Sequence, residues 1–481
     1  MTESIAEMVI PGTYIEVRAE GLIGVGGIVT GNIGIVGTAA RGPVGAVRTL
    51  SSLADAIDIY GLPDAFGAPR LTNTPLTLVR ALQQAFEGGA RTVLAVRAAN
   101  LATGNDELPV AASFGVTRAS DASAAFTLTA KGHLDRDKAP IANSSGTWGQ
   151  DITVTTSTDA ATGTHRLALS YRKQTEVFEA ATLGDLRTAA TASRLVDVSA
   201  LTGAATGGPT PAKGPMTGGA DGANVGVTDL ADALGELENE PVNILLVAGE
   251  ASKRVGNIVQ GHLQRTLNEG RERIAILGVA ADGSATDVGD VTDEAGALEN
   301  DRVVLVAPGL VSGTDTLPAS YTAAVVAGKL ATLAPHVSLT NKSLPVTPSV
   351  RYSTGSVTTL LGAQVLVVRE KFGNQVVRGI TTSAPPFSQI SVRRTVDYAK
   401  AGVRLGSDPY IGRLNNARVR AALQATLDGF LSQMVLDEML TGYELSVTAT
   451  RAQEIAGVCA VVMNLKPTFS IDFIRVTMNL E

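Results

Sequence analysis

The sequence predicts an α/β and α+β multidomain protein: an α/β layer with an inserted mostly-β domain, and a C-terminal α+β domain completed by extended N- and C-terminal strand arms. Three observations carry this. Helices alternate with wholly apolar strands between Val227 and Ala307, the rhythm of parallel strands covered on both faces. From Leu101 to Gly219 the pattern changes to short alternating runs separated by Gly, Ser, Thr and Asp. The last thirteen residues, Phe469–Glu481, read as a strand with no turn or partner after it.

The division expected is 1–22 as an N-terminal arm, 23–100 plus 220–345 as the α/β domain, and 101–219 as the β insertion. Residues 346–465 form the C-terminal domain and 466–481 its strand arm. At the N-terminus, Pro11-Gly12 breaks the chain before a short strand, in which Ile15 and Val17 face one way and Tyr14, Glu16 and Arg18 the other. A glycine-rich run from Gly21 to Gly37 lacks the spacing of a dinucleotide fingerprint, because Gly24 and Gly26 precede a strand, Ile33–Val36, and no helix. Ser51 starts a short helix that stops at Gly61, a second helix covers 75–87, and Gly88-Gly89 leads to the strand Thr92–Arg97.

In the insertion, Phe126–Ala130, Ile152–Thr156, Arg166–Tyr171 and Glu176–Glu179 read as strands, with the single tryptophan, Trp148, as a packing anchor. The α/β rhythm then resumes. Thr228 is expected to cap a helix closed by Pro241, followed by the strand Val242–Ala248, a helix over Ser252–Asn268, the strand Ile274–Val279, an acidic loop and the strand Arg302–Ala307. Farther on, 364–369 and 375–380 form a hairpin, and a long helix runs from about Asn416 to Leu440 with Leu423, Leu427, Phe430, Leu431 and Met434 as its apolar stripe. Arg418 and Arg420 fall in its first turn, where the helix dipole disfavours cations, which is read either as an answer to an acidic partner or as exposed arginines with no role.

The final strand changes phase. Phe469, Ile471 and Phe473 alternate with polar residues, and then Ile474, Val476, Met478 and Leu480 continue on the opposite face. A bulge explains the slip, and so does a strand buried against something outside its own domain. The two terminal strands can pair within one chain or add to a neighbour's sheet.

Net charge is −7, which argues against a general nucleic-acid binder. It is unevenly spread. From Arg351 onward there are 14 Lys+Arg against 10 Asp+Glu, net +4, whereas the preceding residues carry 25 against 36, net −11. The single cysteine, Cys459, sits in an apolar run and is expected to be a buried thiol. No basic-then-apolar start is present and no apolar stretch reaches membrane-spanning length, so synthesis and first assembly are expected in the cytoplasm.

No catalytic or metal constellation emerges. His133, His165, His262 and His336 are scattered, and none has the i, i+4 partner of a helical zinc site. The acids Asp287, Asp290, Asp293, Glu294, Glu299 and Asp301 lack calcium-loop spacing and read as a solvated loop. Gly328-Lys329 resembles the end of a phosphate loop, but Ala323 replaces its first glycine and Leu330 follows the lysine. No cofactor is expected.

The order of several short motifs resembles the tail sheath family of contractile phage tails and related contractile injection particles. These are Pro11-Gly-Thr-Tyr-Ile-Glu16, Ile35-Val-Gly-Thr-Ala-Ala-Arg-Gly-Pro-Val44, Trp148-Gly-Gln-Asp-Ile152, Asp229–Asn239 before the strand Asn243–Val247, Val376–Thr382, Ile390-Ser-Val-Arg-Arg-Thr-Val-Asp-Tyr398 and Asp472–Thr477. The resemblance implies a non-enzymatic homo-oligomer, a six-start helical sheath around an inner tube, assembled in a bacterial host and ending at baseplate and tail-terminator proteins. It implies no nucleic-acid partner and no membrane insertion. It gives Tyr14, Ile15, Glu16 and Val17, and Phe473, Ile474, Val476, Met478 and Leu480, the role of arms exchanged between subunits. It also makes Arg413, Arg418 and Arg420 candidates for contact with an acidic inner tube. The alternatives are a static tail or baseplate structural protein, and an α/β enzyme with an unrecognised site.

Overall fold

The computed structural model describes residues 27–63, 76–100, 110–131, 146–172, 174–220, 225–280 and 288–479. The chain divides into two compact units: Gly31–Ala334 with Ser338–Ile390, and the segment from Ser391 onward together with Pro335–Val337 and the described residues before Gly31.

The larger unit is built on an eight-stranded mixed sheet in the order Asn374–Val376, Leu366–Glu370, Val303–Ala307, Ile274–Gly278, Ile244–Val247, Ile33–Gly37, Val93–Arg97, Val47–Leu50. The six inner strands are parallel and both edge strands antiparallel. Strand residues alternate between two buried layers, which is why the inner strands are apolar throughout. Ile33, Ile35, Ile244, Leu246, Ile276 and Val304 face the helices Leu53–Tyr60, Leu78–Glu87 and Ala319–Ala331. Val36, Leu245, Val247, Leu277 and Leu305 face Val227–Gly235, Ser252–Asn268, Val288–Leu298 and Thr354–Gly362.

Two expectations are corrected. The acidic stretch is no loop: Val288–Leu298 is a helix, because Val291, Ala295 and Leu298 recur at helical spacing and pack on the core. Glu294 on that helix is buried and accepts hydrogen bonds from the Ser252 hydroxyl and, at 3.2 Å, from the Ala280 backbone N–H. Thr228 is not the cap of its helix. The N-cap is Gly226, whose N–H donates to the Asp229 carboxylate at 2.7 Å. Gly328-Lys329 lies within the buried helix Ala319–Ala331, where a Cβ on Gly328 would stand 2.1 Å from the Ala85 carbonyl oxygen. The glycine therefore serves a close crossing of two helices.

Between 110 and 220 lie two small antiparallel sheets. One orders Ser113–Thr117, Ala124–Ala130 and Val196–Val198; the other orders Ala212–Pro215, Thr153–Thr158, His165–Tyr171 and Gln174–Ala180. The strands Thr153–Thr158 and His165–Tyr171 are joined by an exposed turn closed by Asp159, which accepts from the Ala161 N–H at 2.9 Å and the Thr162 hydroxyl at 2.8 Å. Trp148 is buried here and meets Tyr171 edge-on at 5.3 Å. The buried Arg41 lies over the Tyr171 ring, donates to its hydroxyl and also donates to the Asp58 carbonyl at 2.7 Å. Burial, and then the charge of Arg172, lower the Arg41 pKa to about 9, which leaves it charged at neutral pH.

Candidate functional site: the C-terminal hairpin and its apolar tail

The smaller unit is organised by two helices and one hairpin. The motif around Ile390–Tyr398 lies in the helix Ile390–Ser407. Its two arginines are fixed internally: Arg393 pairs with Asp397 one turn on, at 2.8 Å, and Arg394 donates to the Thr30 carbonyl at 3.0 Å. The long helix is Ala417–Leu436, capped by the Asn416 side chain, which accepts from the Val419 N–H at 2.9 Å. Leu423, Leu427, Phe430, Leu431 and Met434 are buried, as the stripe predicts. Phe430 rests on Gly402, where a Cβ would come within 2.0 Å of the ring.

The long helix packs on the antiparallel pair Leu440–Thr448 and Ala460–Pro467, linked by the short helix Arg451–Ile455. Tyr443, Leu445, Val447, Val461, Met463 and Leu465 turn toward the helices. Tyr443 is pinned by its hydroxyl, which donates to Asp428 at 2.6 Å. Among the described residues neither outer edge of this pair carries a further strand. A two-stranded sheet is marginal alone. Here a helix covers one face, and both edges keep backbone groups available for pairing.

Beyond Pro467 the chain runs on to 479 with no strand assigned, in contrast to the strand expected over Phe469–Glu481. Its apolar side chains are strongly exposed: Phe469 56%, Ile471 79%, Phe473 80%, Ile474 83%, Val476 72% and Met478 85%. Burying such a set is worth on the order of 10 kcal/mol before the entropy of ordering the segment is set against it. Leu480 and the N-terminal Tyr14, Ile15, Glu16 and Val17 lie outside the described residues.

The arginines separate. Arg420 already has its acid within the chain, Glu454 at 2.9 Å, and also donates to Asn415 Oδ1 at 2.9 Å. Hydrogen bonds from Arg451 and then Arg420 hold the Glu454 carboxyl below its ordinary pKa. Arg418 is exposed in the first turn, and the exposed Arg413 stacks on Tyr410 at 5.3 Å beside the exposed Ile411 and Leu414. Cys459 is half-exposed, not buried as its apolar run suggested, because that run includes a strand with one open face.

Two of the histidines sit in internal contacts. His262 is fully buried with Nε2 2.9 Å from an Arg273 nitrogen. Burial first, then Arg273, lower its pKa to about 4, although Glu238 opposes them. His165 Nδ1 meets the Thr158 hydroxyl at 3.0 Å. No group of three His, Cys, Asp or Glu side chains among the described residues is placed to hold a metal ion. No helix among them is long and apolar enough to cross a membrane.

Comparison with known proteins adds a family to this geometry. Residues 382–481, the hairpin, the long helix and the tail, match the family described as the phage tail sheath C-terminal domain. A tail sheath protein of Mycobacterium phage Bxz1 is 24% identical over 283 residues, covering 54% of this chain and 47% of the phage protein. The match thus spans about half the length of that curated relative. Among solved structures, the sheath tail protein of Desulfitobacterium hafniense superposes with a TM-score of 0.66 at 18% identity, over 95% of this chain and all of that one. The helical sheath of the anti-feeding prophage in its contracted state gives 0.54 at 14% identity, over 99% and 100%. These matches make the chain similar to structural subunits of contractile tails. Over residues 382–481 the chain thus resembles the phage tail sheath C-terminal domain, and its fold as a whole is that of sheath proteins.

Proposed function

We propose that this chain polymerises as a six-start helical sheath around an inner tube and contracts by rotation of its subunits, driving the tube through a target envelope. The observation that carries the reading is the open two-stranded hairpin followed by an exposed apolar tail. A strand pair with no further strand on its edges among the described residues and an exposed strand-like segment are complementary halves of strand addition. On this reading Phe473, Ile474, Val476, Met478 and Leu480 of one subunit, and Tyr14, Ile15, Glu16 and Val17 of another, complete the hairpin sheet of a third. The β module then projects outward, and the C-terminal unit lies innermost, where Arg413 and Arg418 meet an acidic tube surface. Arg420, already paired with Glu454, instead holds the helix start. Baseplate and terminator proteins close the two ends, in a particle assembled in the bacterial cytoplasm.

The extended sheath is a metastable state on this view. Rigid-body rotation enlarges subunit contacts while the strand arms act as ties. A gain of about 1,000 Å² of buried apolar surface per subunit supplies on the order of 25 kcal/mol before offsetting costs, so no nucleotide is required. Electron microscopy of the purified chain, alone and with its tube protein, tests the reading. Hollow or tube-filled cylinders with six-fold symmetry are expected, and monodisperse monomers under both conditions would sink it.

A further inference from the structure

Two surface features at opposite ends of the eight-stranded sheet fit each other and cannot meet within one chain. The first is a knob. Phe372 tips the hairpin between Leu366–Glu370 and Asn374–Val376, with φ at 53° and 95% of its surface exposed. The turn is fixed by the Lys371 N–H donating to the Gly373 carbonyl at 2.8 Å. Lys371 and Arg369 flank the ring, and Arg351 takes up Glu370 in an ion pair, which leaves the face basic. An exposed phenyl ring on a braced turn loses little freedom on binding.

The second is a hole. At the C-terminal end of the strand Val93–Arg97, Val44, Gly45, Ala98 and Ala99, with the buried Arg97 that donates to the Gly42 carbonyl, line a recess of about 130 Å³, and the helix Val227–Gly235 with its C-cap adds Asp229, Asp232 and Glu236. Asp229 is occupied in capping, whereas Asp232 and Glu236 stand exposed one turn apart. An apolar cavity of about 150 Å³ holds one benzene ring. The recess therefore suits one phenyl group, with acids placed for the cations beside it.

We propose that the Phe372 hairpin of one subunit docks in the Val44–Ala98–Asp232 recess of a second copy of this chain. Both features lie on the rim formed by the C-terminal ends of the parallel strands, six strand steps or about 30 Å apart. The contact joins unlike surfaces: a reciprocal two-fold pairing closes a dimer, whereas a one-way contact leaves each copy a free knob and a free hole and propagates as a ring or a helix. It rests on the sheath reading and names one lateral contact within it.

The test places photoreactive benzoylphenylalanine at position 372 of the full chain, mixes isotope-labelled with unlabelled copies, irradiates, and maps adducts by mass spectrometry. Adducts between copies on 44–45, 98–99 or 229–236 are expected. Adducts confined to other positions, or none, overturn the proposal. Reversing one charge, as in Lys371→Glu or Asp232→Lys, is expected to lower the cross-link yield about fivefold, and combining the two to restore it. Absence of that rescue also counts against it. Electron microscopy of the same samples separates the two readings: tubes without the cross-link sink this contact alone, and the cross-link without tubes sinks the sheath.

Discussion

At the scale of single residues, the buried charges are the sites where sequence reasoning fell short and where tests are sharpest. His262 has a folded pKa of about 4 against 6.5 as the ordinary value, so the unfolded chain binds its proton first as pH falls. Its contribution is intact above pH 6.5 and is lost between pH 6.5 and 4, up to roughly 3 kcal/mol. Thermal melts of the wild type should show this acid slope, and His262→Gln should flatten it; an unchanged slope would show that other groups govern acid stability. Glu294 makes a parallel case. Glu294→Ala leaves the Ser252 hydroxyl and Ala280 N–H without their acceptor and is expected to cost about 2–3 kcal/mol in denaturant unfolding. The sequence displayed Glu294 only as one of several acids, because nothing local marks which acid in a helical run faces inward. Arg420 was legible as a cation in an unfavourable turn, but its partner Glu454 is 34 residues away and no local spacing announces it.

Among elements, the inner strands of the large sheet were legible, whereas the hairpin Leu440–Thr448 and Ala460–Pro467 was not, and the strand expected over Phe469–Glu481 is not formed. Inner strands are apolar on both faces, and that signal survives without context. The helix Ala319–Ala331 was missed because its burial all round erases the amphipathic pattern by which helices are found. Its crossing with Leu78–Glu87 depends on Gly328 and Gly88, whose added Cβ atoms would meet backbone oxygens at 2.1 and 2.3 Å. Gly328→Ala is expected to destabilise the larger unit by about 2 kcal/mol or more, measured by chemical denaturation. In the smaller unit the long helix carries the hairpin. Leu427→Ala removes a fully buried side chain and is expected to cost about 2–5 kcal/mol, read as earlier melting of that unit. The alternating pattern over Phe469–Glu481 predicted a strand that is not formed within the chain, because such a pattern does not state what the segment pairs with.

For the whole molecule, deletion of Phe469–Glu481 is expected to leave the folded units soluble and close to wild-type stability while abolishing sheath formation, because the exposed tail contributes little packing of its own. Normal tubes from the truncated chain, seen by electron microscopy, would remove the arm hypothesis. The mixed α/β character was readable from rhythm; the docking of Arg41 on Tyr171, 130 residues apart, was not, since it joins elements that share no period. That clamp has a practical consequence when set beside the turn at Asp159–Thr164. The turn is exposed, closes on its own hydrogen bonds and caps strands anchored through Tyr171 to the sheet-bearing layer. Loop tips of this kind tolerate inserted sequence. A short epitope spliced after Ala161 would stand on a braced turn, displayed once per copy.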